Sequence, residues 1–373
     1  MKKHFLLPLL LLALFFSCKK DSSQTFPDVK MEITEKTLIV SVNTEKPFTA
    51  VFPNGNTVIS EWKLNGATVS TKETYLFKPT SAGDYSLVYT GSNASGSFTY
   101  SYQINVPIPT VGAGPNSSKY ISRVFEYIPA PGQQVNTTTL GSLEQAQKLV
   151  GGVSNILSLG GFGGYVIFGF DHSVSNKEGY DLGIYGNPQG GAAPFAEPGI
   201  VMVSQDKNGN GLPDDEWYEL AGSEYDKPTT IKNYEITYTN PKAFLDVPWT
   251  DNQGNSGVVK NLNKKKNDYP LFVQNQDKIT FRGTLLPSTL STSGLISNRP
   301  FEWGYTDSYS TGDDYATTKY NSFEISWAVD KNGKKVMLAT IDFVKVYTAQ
   351  NINAGFLGEI STEILGAVDL NIK

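Results

Sequence analysis

The strongest constraint on this chain is a rhythm of two. DYSLVYTGSN (84–93) and FTYSYQINV (98–106) alternate aromatic or β-branched residues with polar ones, and Asn-Gly, Gly and Pro close such runs after a few residues. Alternation at period two sends successive side chains to opposite faces of a strand, whereas a helix repeats near 3.6. The pattern recurs along the chain, so the expected fold class is all-β. The one helical candidate is 143–150, with Ser142 placed to cap it. Composition agrees: Tyr 20, Phe 20 and Gly 35 are high, and charged residues make only 18%, below the usual quarter or so.

The first residues read as an address. Lys2 and Lys3 precede an apolar run over 5–16, too short to span a bilayer as a mature helix, which marks residues 1–17 as a secretory signal. Ser17 directly before Cys18 resembles a bacterial lipobox, and that resemblance implies cleavage before Cys18 and its lipidation. Cys18 is the only cysteine, so with it acylated disulfides and thiolate chemistry are excluded. Net charge is −5, and losing Lys2 and Lys3 makes it more negative. That balance excludes nucleic acid, which demands a basic stripe. The cluster Lys264-Lys265-Lys266 lies among Asn and Asp and reads as a solvated loop.

Residues 18–27 are polar and aperiodic, a flexible tether. From 28 to 107 six short alternating strands suggest a small antiparallel sandwich. Trp62 before Asn65-Gly66, then Gly83-Asp84-Tyr85-Ser86-Leu87, resembles an immunoglobulin-like or PKD-like domain without the two antibody cysteines. The tryptophan would fill the core and the tyrosine would sit at a strand corner. Residues 108–115 read as a Pro-containing linker. A larger, jelly-roll-like β-sandwich for ligand binding is expected over 116–373, with strands near 165–170, 181–185, 199–204, 217–221, 234–239, 278–281, 322–329 and 336–348. Asp330-Lys331-Asn332-Gly333 marks a hairpin turn between the last two. The glycines at 160–164 lead into a strand rather than a helix, so they do not form a phosphate loop.

DKNGNGLPDDEW (206–217) places oxygen-bearing side chains at alternate positions around Gly211. Asp206, Asn208, Asn210, the Leu212 carbonyl and Asp214 match the first positions of a structural Ca²⁺ loop. Trp217 stands where an EF-hand has its bidentate acid, so Asp215 or Glu216 must complete the set. With His4 in the signal, His172 is the sole histidine of a mature chain, which argues against catalytic zinc or iron. No Gly-x-Ser-x-Gly elbow accompanies it for a hydrolytic triad; a strand-end or ligand-contact role fits better. Paired carboxylates for glycoside cleavage stay open, with Glu197, Glu216, Asp307, Asp313, Asp314 and Glu359 available.

FEWGYTDSYSTGDDYA (301–316) and the loop-rich stretch 168–199 combine aromatics with acids and amides. Trp303, Tyr305, Tyr309 and Tyr185, with Asp307 and Asn187, are the candidate ligand contacts. Exposed rings would stack on a polar, partly planar ligand.

GGYVIFGFDH (163–172), Tyr180-Asp181-Leu182 with Tyr185-Gly186-Asn187, EPGIVMVS (197–204), the cation loop with WYELAG (217–222), Trp303-Gly304-Tyr305 and the tail IDFVKVYTA…LGEISTEI together resemble a family of Bacteroidetes cell-surface lipoproteins. Some of its members accompany outer-membrane vitamin B12 uptake. The resemblance implies a non-enzymatic, lipid-anchored surface protein of the outer membrane. It would bind cobalamin and deliver it to a TonB-dependent transporter with companion lipoproteins. A glycan is the alternative ligand, and a surface glycoside hydrolase the alternative activity.

Overall fold

A computed structural model describes residues 25–55, 57–273 and 275–373. The signal-like segment, Cys18 and most of the expected tether lie outside the described residues. The chain divides into two compact units between Pro107 and Ile108, and both are β-structured, as the alternation requires.

In the N-terminal unit a five-stranded sheet and a three-stranded sheet face each other. The hairpin Gly83–Asn93 and Gly96–Val106 forms the backbone of the larger sheet, paired along its full length. Its inward residues Leu87, Tyr89, Tyr102 and Ile104 pack with Phe48 and Phe77 around Trp62, which is fully buried. The indole N–H still finds an acceptor, the Lys72 carbonyl at 2.9 Å, so burying this large ring leaves no orphaned donor. Tyr85 donates its hydroxyl to the Ser81 carbonyl at 2.8 Å, fixing the entry to the hairpin as a tyrosine corner does.

The C-terminal unit is a sandwich of three layers. Its middle layer is an antiparallel sheet of six strands in the order Ala328–Val329, Trp217–Leu220, Gly199–Ser204, Thr340–Thr348, Tyr165–Ser175 and Arg123–Ile128. The inner strands are apolar on both faces. Val166, Phe168, Val201, Val203, Val344 and Val346 join a core with Leu182, Ile184, Phe323 and Ala367 of a three-stranded sheet. Tyr165, Ile200, Met202 and Tyr347 belong to a second core with Tyr234, Ile236, Tyr238 and Phe281 of a four-stranded sheet. Burial on both sides explains why GIVMVS and FVKVYT are nearly continuous apolar runs.

Three expectations change in detail. Residues 108–115 do not hang free: Val111 exchanges bonds with Ser173, its carbonyl accepting the Ser173 N–H at 2.8 Å and its N–H donating to the Ser173 Oγ at 2.9 Å. The expected strand 322–329 is interrupted. Asn321–Phe323 joins the three-stranded sheet, a 3₁₀ turn spans Ile325–Trp327, and Ala328–Val329 joins the central sheet. Asp330 does close a turn, accepting from Asn332 and Lys334. The long strand Thr340–Thr348, however, pairs with Tyr165–Ser175 and Gly199–Ser204 rather than folding back on 322–329, because only a central position buries both its faces. The short helix forms over Leu143–Gln147, with the Ser142 side chain accepting the Gln145 N–H.

Candidate functional site

Three carboxylates meet beside the end of the central sheet. Glu197 precedes the strand Gly199–Ser204, Asp307 follows Tyr305 in a loop, and Glu363 opens the two-residue strand Glu363–Ile364. Oxygens of the three lie within 4.8 Å of one another. Backbone bonds assemble them. Glu197 N–H donates to the Asp307 carbonyl at 3.0 Å, while Gly199 and Thr306 exchange a pair of bonds. The Asp307 carboxylate accepts from the backbone of Asn187 at 2.9 Å and of Glu363 at 2.8 Å, and Glu197 Oε1 accepts from Ser361 at 2.9 Å. Asp307 holds φ +50°, a left-handed conformation that Asp tolerates better than most residues. Gly186 is required beside it, since a Cβ there would sit 2.6 Å from the Asp307 Oδ1.

A fourth acid lies close by. Glu359 is 8% exposed. Its Oε1 accepts the Gln133 N–H at 2.8 Å, while its Oε2 is buried without a hydrogen-bond partner. Glu197, Glu359 and Glu363 line a cleft of ≈670 Å³, within the range of small-molecule sites. Gln133, Gln134, Asn187 and Gln189 supply amides to its wall, and Phe195, Leu295, Phe356 and Leu357 supply apolar surface. Phe356 is 77% exposed and Leu295 74%. Burial pushes the Glu359 carboxyl up to about 8, and the Glu197 and Asp268 charges add to it. Asp307 and Glu363 are raised well above ordinary carboxyls, by burial first and then by their acidic neighbours. Glu197 is raised by burial against its hydrogen bonds from Glu363 and Ser361.

Of the acids weighed from sequence, Glu197, Asp307 and Glu359 therefore converge. Asp313 instead anchors Ser310 and Asn321 in the interior, Asp314 precedes the turn Tyr315–Thr318 and accepts there through its backbone carbonyl, and Glu216 faces Lys207 at 3.5 Å. Glu363 was missed. Its signal is the alternation of Glu359, Ser361 and Glu363 with Ile360, Thr362 and Ile364: the first three line the cleft and the second three are fully buried.

The aromatic candidates are placed differently. Tyr305 is 2% exposed, with its hydroxyl accepting the Glu224 N–H at 3.0 Å, which corrects the expectation of an exposed stacking face. Trp303 packs on Trp327 at 4.6 Å, Tyr309 on Tyr315 at 5.2 Å and Tyr185 on Tyr320 at 5.2 Å. These rings satisfy one another rather than gathering around one opening. Only Asn187 and Asp307 of the six belong to the carboxylate site. A second cleft, ≈770 Å³, is lined by Glu219, Lys232, Glu235 and Arg282. Its charges are already engaged, Arg282 with Glu235 and Glu219 with Thr284.

The 206–217 segment folds into a tight, hydrogen-bonded loop. Gly209 and Gly211 take φ +68° and +72°, bending the chain so that Asp206 accepts the N–H groups of Asn210 and Gly211. Asn208 and Asn210 donate their amides to the two oxygens of Asp214. Asp215 turns inward and accepts the Lys207 N–H at 2.9 Å. Glu216 turns outward to Lys207 and the Tyr218 hydroxyl. Leu212 is 45% exposed, and its N–H donates to the Asn210 side chain.

His172 is a structural residue. It is 4% exposed and lies between two carboxylates, Nδ1 at 2.7 Å from Asp171 and Nε2 at 2.8 Å from Asp369. Asp369 ends the strand Gly366–Asp369, so the imidazole fastens one sheet of the sandwich to the strand Tyr165–Ser175. Burial opposes its charge, and the two carboxylates outweigh that, raising its pKa above 6.5.

The chain matches no protein-family model and no curated protein. Among solved structures it is similar to a quinonprotein alcohol dehydrogenase-like protein from Bacteroides thetaiotaomicron, at 12% identity and TM-score 0.22, over 63% of this chain and 61% of that one. It thus spans less than two thirds of that protein's length. It is also similar to a SusE-like protein, at 11% identity and TM-score 0.20, over 88% of this chain and 94% of that one. Likenesses this slight carry no argument about architecture or activity.

Proposed function

We propose that the C-terminal unit captures a carbohydrate in the carboxylate-floored cleft and holds it without cleaving it. One observation carries the reading: Glu197, Glu359 and Glu363 converge with four side-chain amides in a single ≈670 Å³ cleft. Carboxylates accept from sugar hydroxyls and amides both donate and accept, while Phe356, Leu357 and Leu295 offer apolar surface to C–H faces. Cleavage fits less well. Glycosidases set two carboxyls on opposite sides of the scissile bond, whereas Glu197, Asp307 and Glu363 gather in one cluster tied together by backbone hydrogen bonds. The lipobox-like Cys18 and the resemblance to surface lipoproteins support an outer-membrane address, with delivery to a TonB-dependent transporter. A corrinoid is the second reading, because the amide fringe would also suit a ligand bearing many amides.

Calorimetry of the full chain with a panel of oligosaccharides and with cyanocobalamin tests this. An oligosaccharide is expected to bind, and Phe356→Ala to weaken it about 5- to 30-fold, as losing one or two kcal/mol does. Heat with cyanocobalamin alone would transfer the site to the corrinoid reading. Released reducing ends would make the protein a hydrolase.

We further propose that the 206–217 loop binds Ca²⁺ structurally through Asp206, Asn208, Asn210 and Asp214, with Asp215 completing the set. Its support is that these side chains fall in one tight loop bent by two left-handed glycines, with Asn208 and Asn210 both reaching Asp214; the two amides would flip to present oxygen. Millimolar Ca²⁺ is expected to raise the melting temperature of the C-terminal unit and chelator to lower it. Identical melting curves in both would end the idea.

A further inference from the structure

We infer that Glu197, Asp307 and Glu363 form a second Ca²⁺ site, at the floor of the cleft and separate from the loop. Three carboxylates with oxygens within 4.8 Å of one another cannot all be ionised in a partly dehydrated setting without a positive partner, either a proton shared between Glu197 and Glu363 or a cation in its place. Among the described residues the lysine and arginine ion pairs all go to other acids. A second observation is independent of the trio. Glu359, more than nine-tenths buried, lines the same cleft, and its Oε2 is buried with no hydrogen-bond partner. An acid oxygen desolvated and unpartnered beside three other acids has a role if a cation sits among them.

The chemistry selects the ion. The donors are all oxygen, with no sulfur or imidazole among them, which favours a hard cation over zinc. Oxygens on opposite sides of Ca²⁺, at 2.3–2.6 Å each, stand about 5 Å apart, whereas around Mg²⁺ they stand about 4 Å apart. Separations bounded at 4.8 Å admit either ion, and the number of carboxylates favours Ca²⁺, since Mg²⁺ keeps several waters and takes only one or two. Both Asp307 oxygens are already fixed by backbone donors, as is one Glu197 oxygen, so the donors are pre-oriented and keep a lone pair each. Glu197 and Glu363 also line the cleft, which leaves the ion's outer positions to water or to hydroxyls of an incoming ligand. The site itself does not depend on the identity of that ligand.

The test uses Ca²⁺ alone on the full chain, by equilibrium dialysis and calorimetry. A loop variant, Asp206→Ala with Asp214→Ala, isolates the cleft site and is expected to retain uptake of one ion. Adding Glu363→Gln should then weaken that uptake by about tenfold or more, since affinity follows ligand charge. Glu197→Gln, which keeps the oxygen that accepts from Ser361, should do the same and serves if Glu363→Gln fails to fold. In chelator each Gln variant should melt no lower than its parent, because removing one of three crowded charges relieves repulsion. No uptake by the loop variant, or uptake unchanged by both Gln substitutions, would overturn the inference and leave protons as what neutralises the trio. Neither result touches sugar binding measured in chelator, so the two proposals fail separately.

Discussion

Replacing His172 with alanine is expected to destabilise the C-terminal unit by about 3–5 kcal/mol, the usual cost of removing one partner from a buried ion pair. At roughly 2–4 °C per kcal/mol for a large domain, the melting temperature should fall by about 6–20 °C. The loss comes chiefly from Asp369, 2% exposed, whose Oδ2 would be left buried without its imidazole partner. Asp171 is better hydrated, with a side chain 39% exposed. Replacing both partners, His172→Leu with Asp369→Asn, should restore part of the stability. The same pair sets a pH dependence. His172 has a raised folded-state pKa, so its contribution is complete below pH about 6.5 and fades as pH rises through the folded-state value. Asp171 has a lowered pKa, held down first by its bond from His172. Its contribution is present above about pH 3.9 and fades as pH falls through its folded-state value. The effect should be largest in mildly acidic buffer. A His172→Ala variant melting with the wild type across that range would refute this role.

Tyr305→Ala is expected to cost about 3–5 kcal/mol as a large-to-small core substitution, while leaving affinity at the cleft unchanged in protein that still folds. The ring packs 5.4 Å from Phe301, and its hydroxyl is the acceptor for the Glu224 N–H, which truncation would strand. Tyr305→Phe separates the two contributions: it keeps the packing and should cost about 1–3 kcal/mol for the unsatisfied donor. Denaturant unfolding followed by calorimetry on the folded variant reads both. A mild effect on stability combined with a large loss of ligand affinity would restore Tyr305 as a binding residue.

These two residues show where sequence reading reached its limit. Elimination argues from sequence against metal and triad chemistry at His172, yet nothing local announces its partner Asp369, 197 residues along the chain. Tyr305 sits among Gly, Ser and Asp, a composition that reads as an exposed loop. The loop is instead packed against Gly222, where a Cβ would come within 2.7 Å of the tyrosine ring. Glu197, Asp307 and Glu359 were among the available acids, but acids carry no mark of desolvation in one dimension.

What the sequence determined is whatever depends on neighbours in the chain. Period-two alternation made the fold all-β. Paired apolar faces in GIVMVS and FVKVYT demanded central strands, Ser142 began the one longer helix, and the glycines at 209 and 211 bent the oxygen-rich loop. Tertiary structure alone decided the rest, because strand pairing joins residues far apart in sequence and burial follows from that pairing. The bonds between Gly199 and Thr306 bring Glu197 to Asp307, and the Glu363 N–H closes on the same carboxylate. An ordinary set of acids becomes a cleft floor because backbone bonds draw three distant segments together, and exclusion of water there raises their pKa values together.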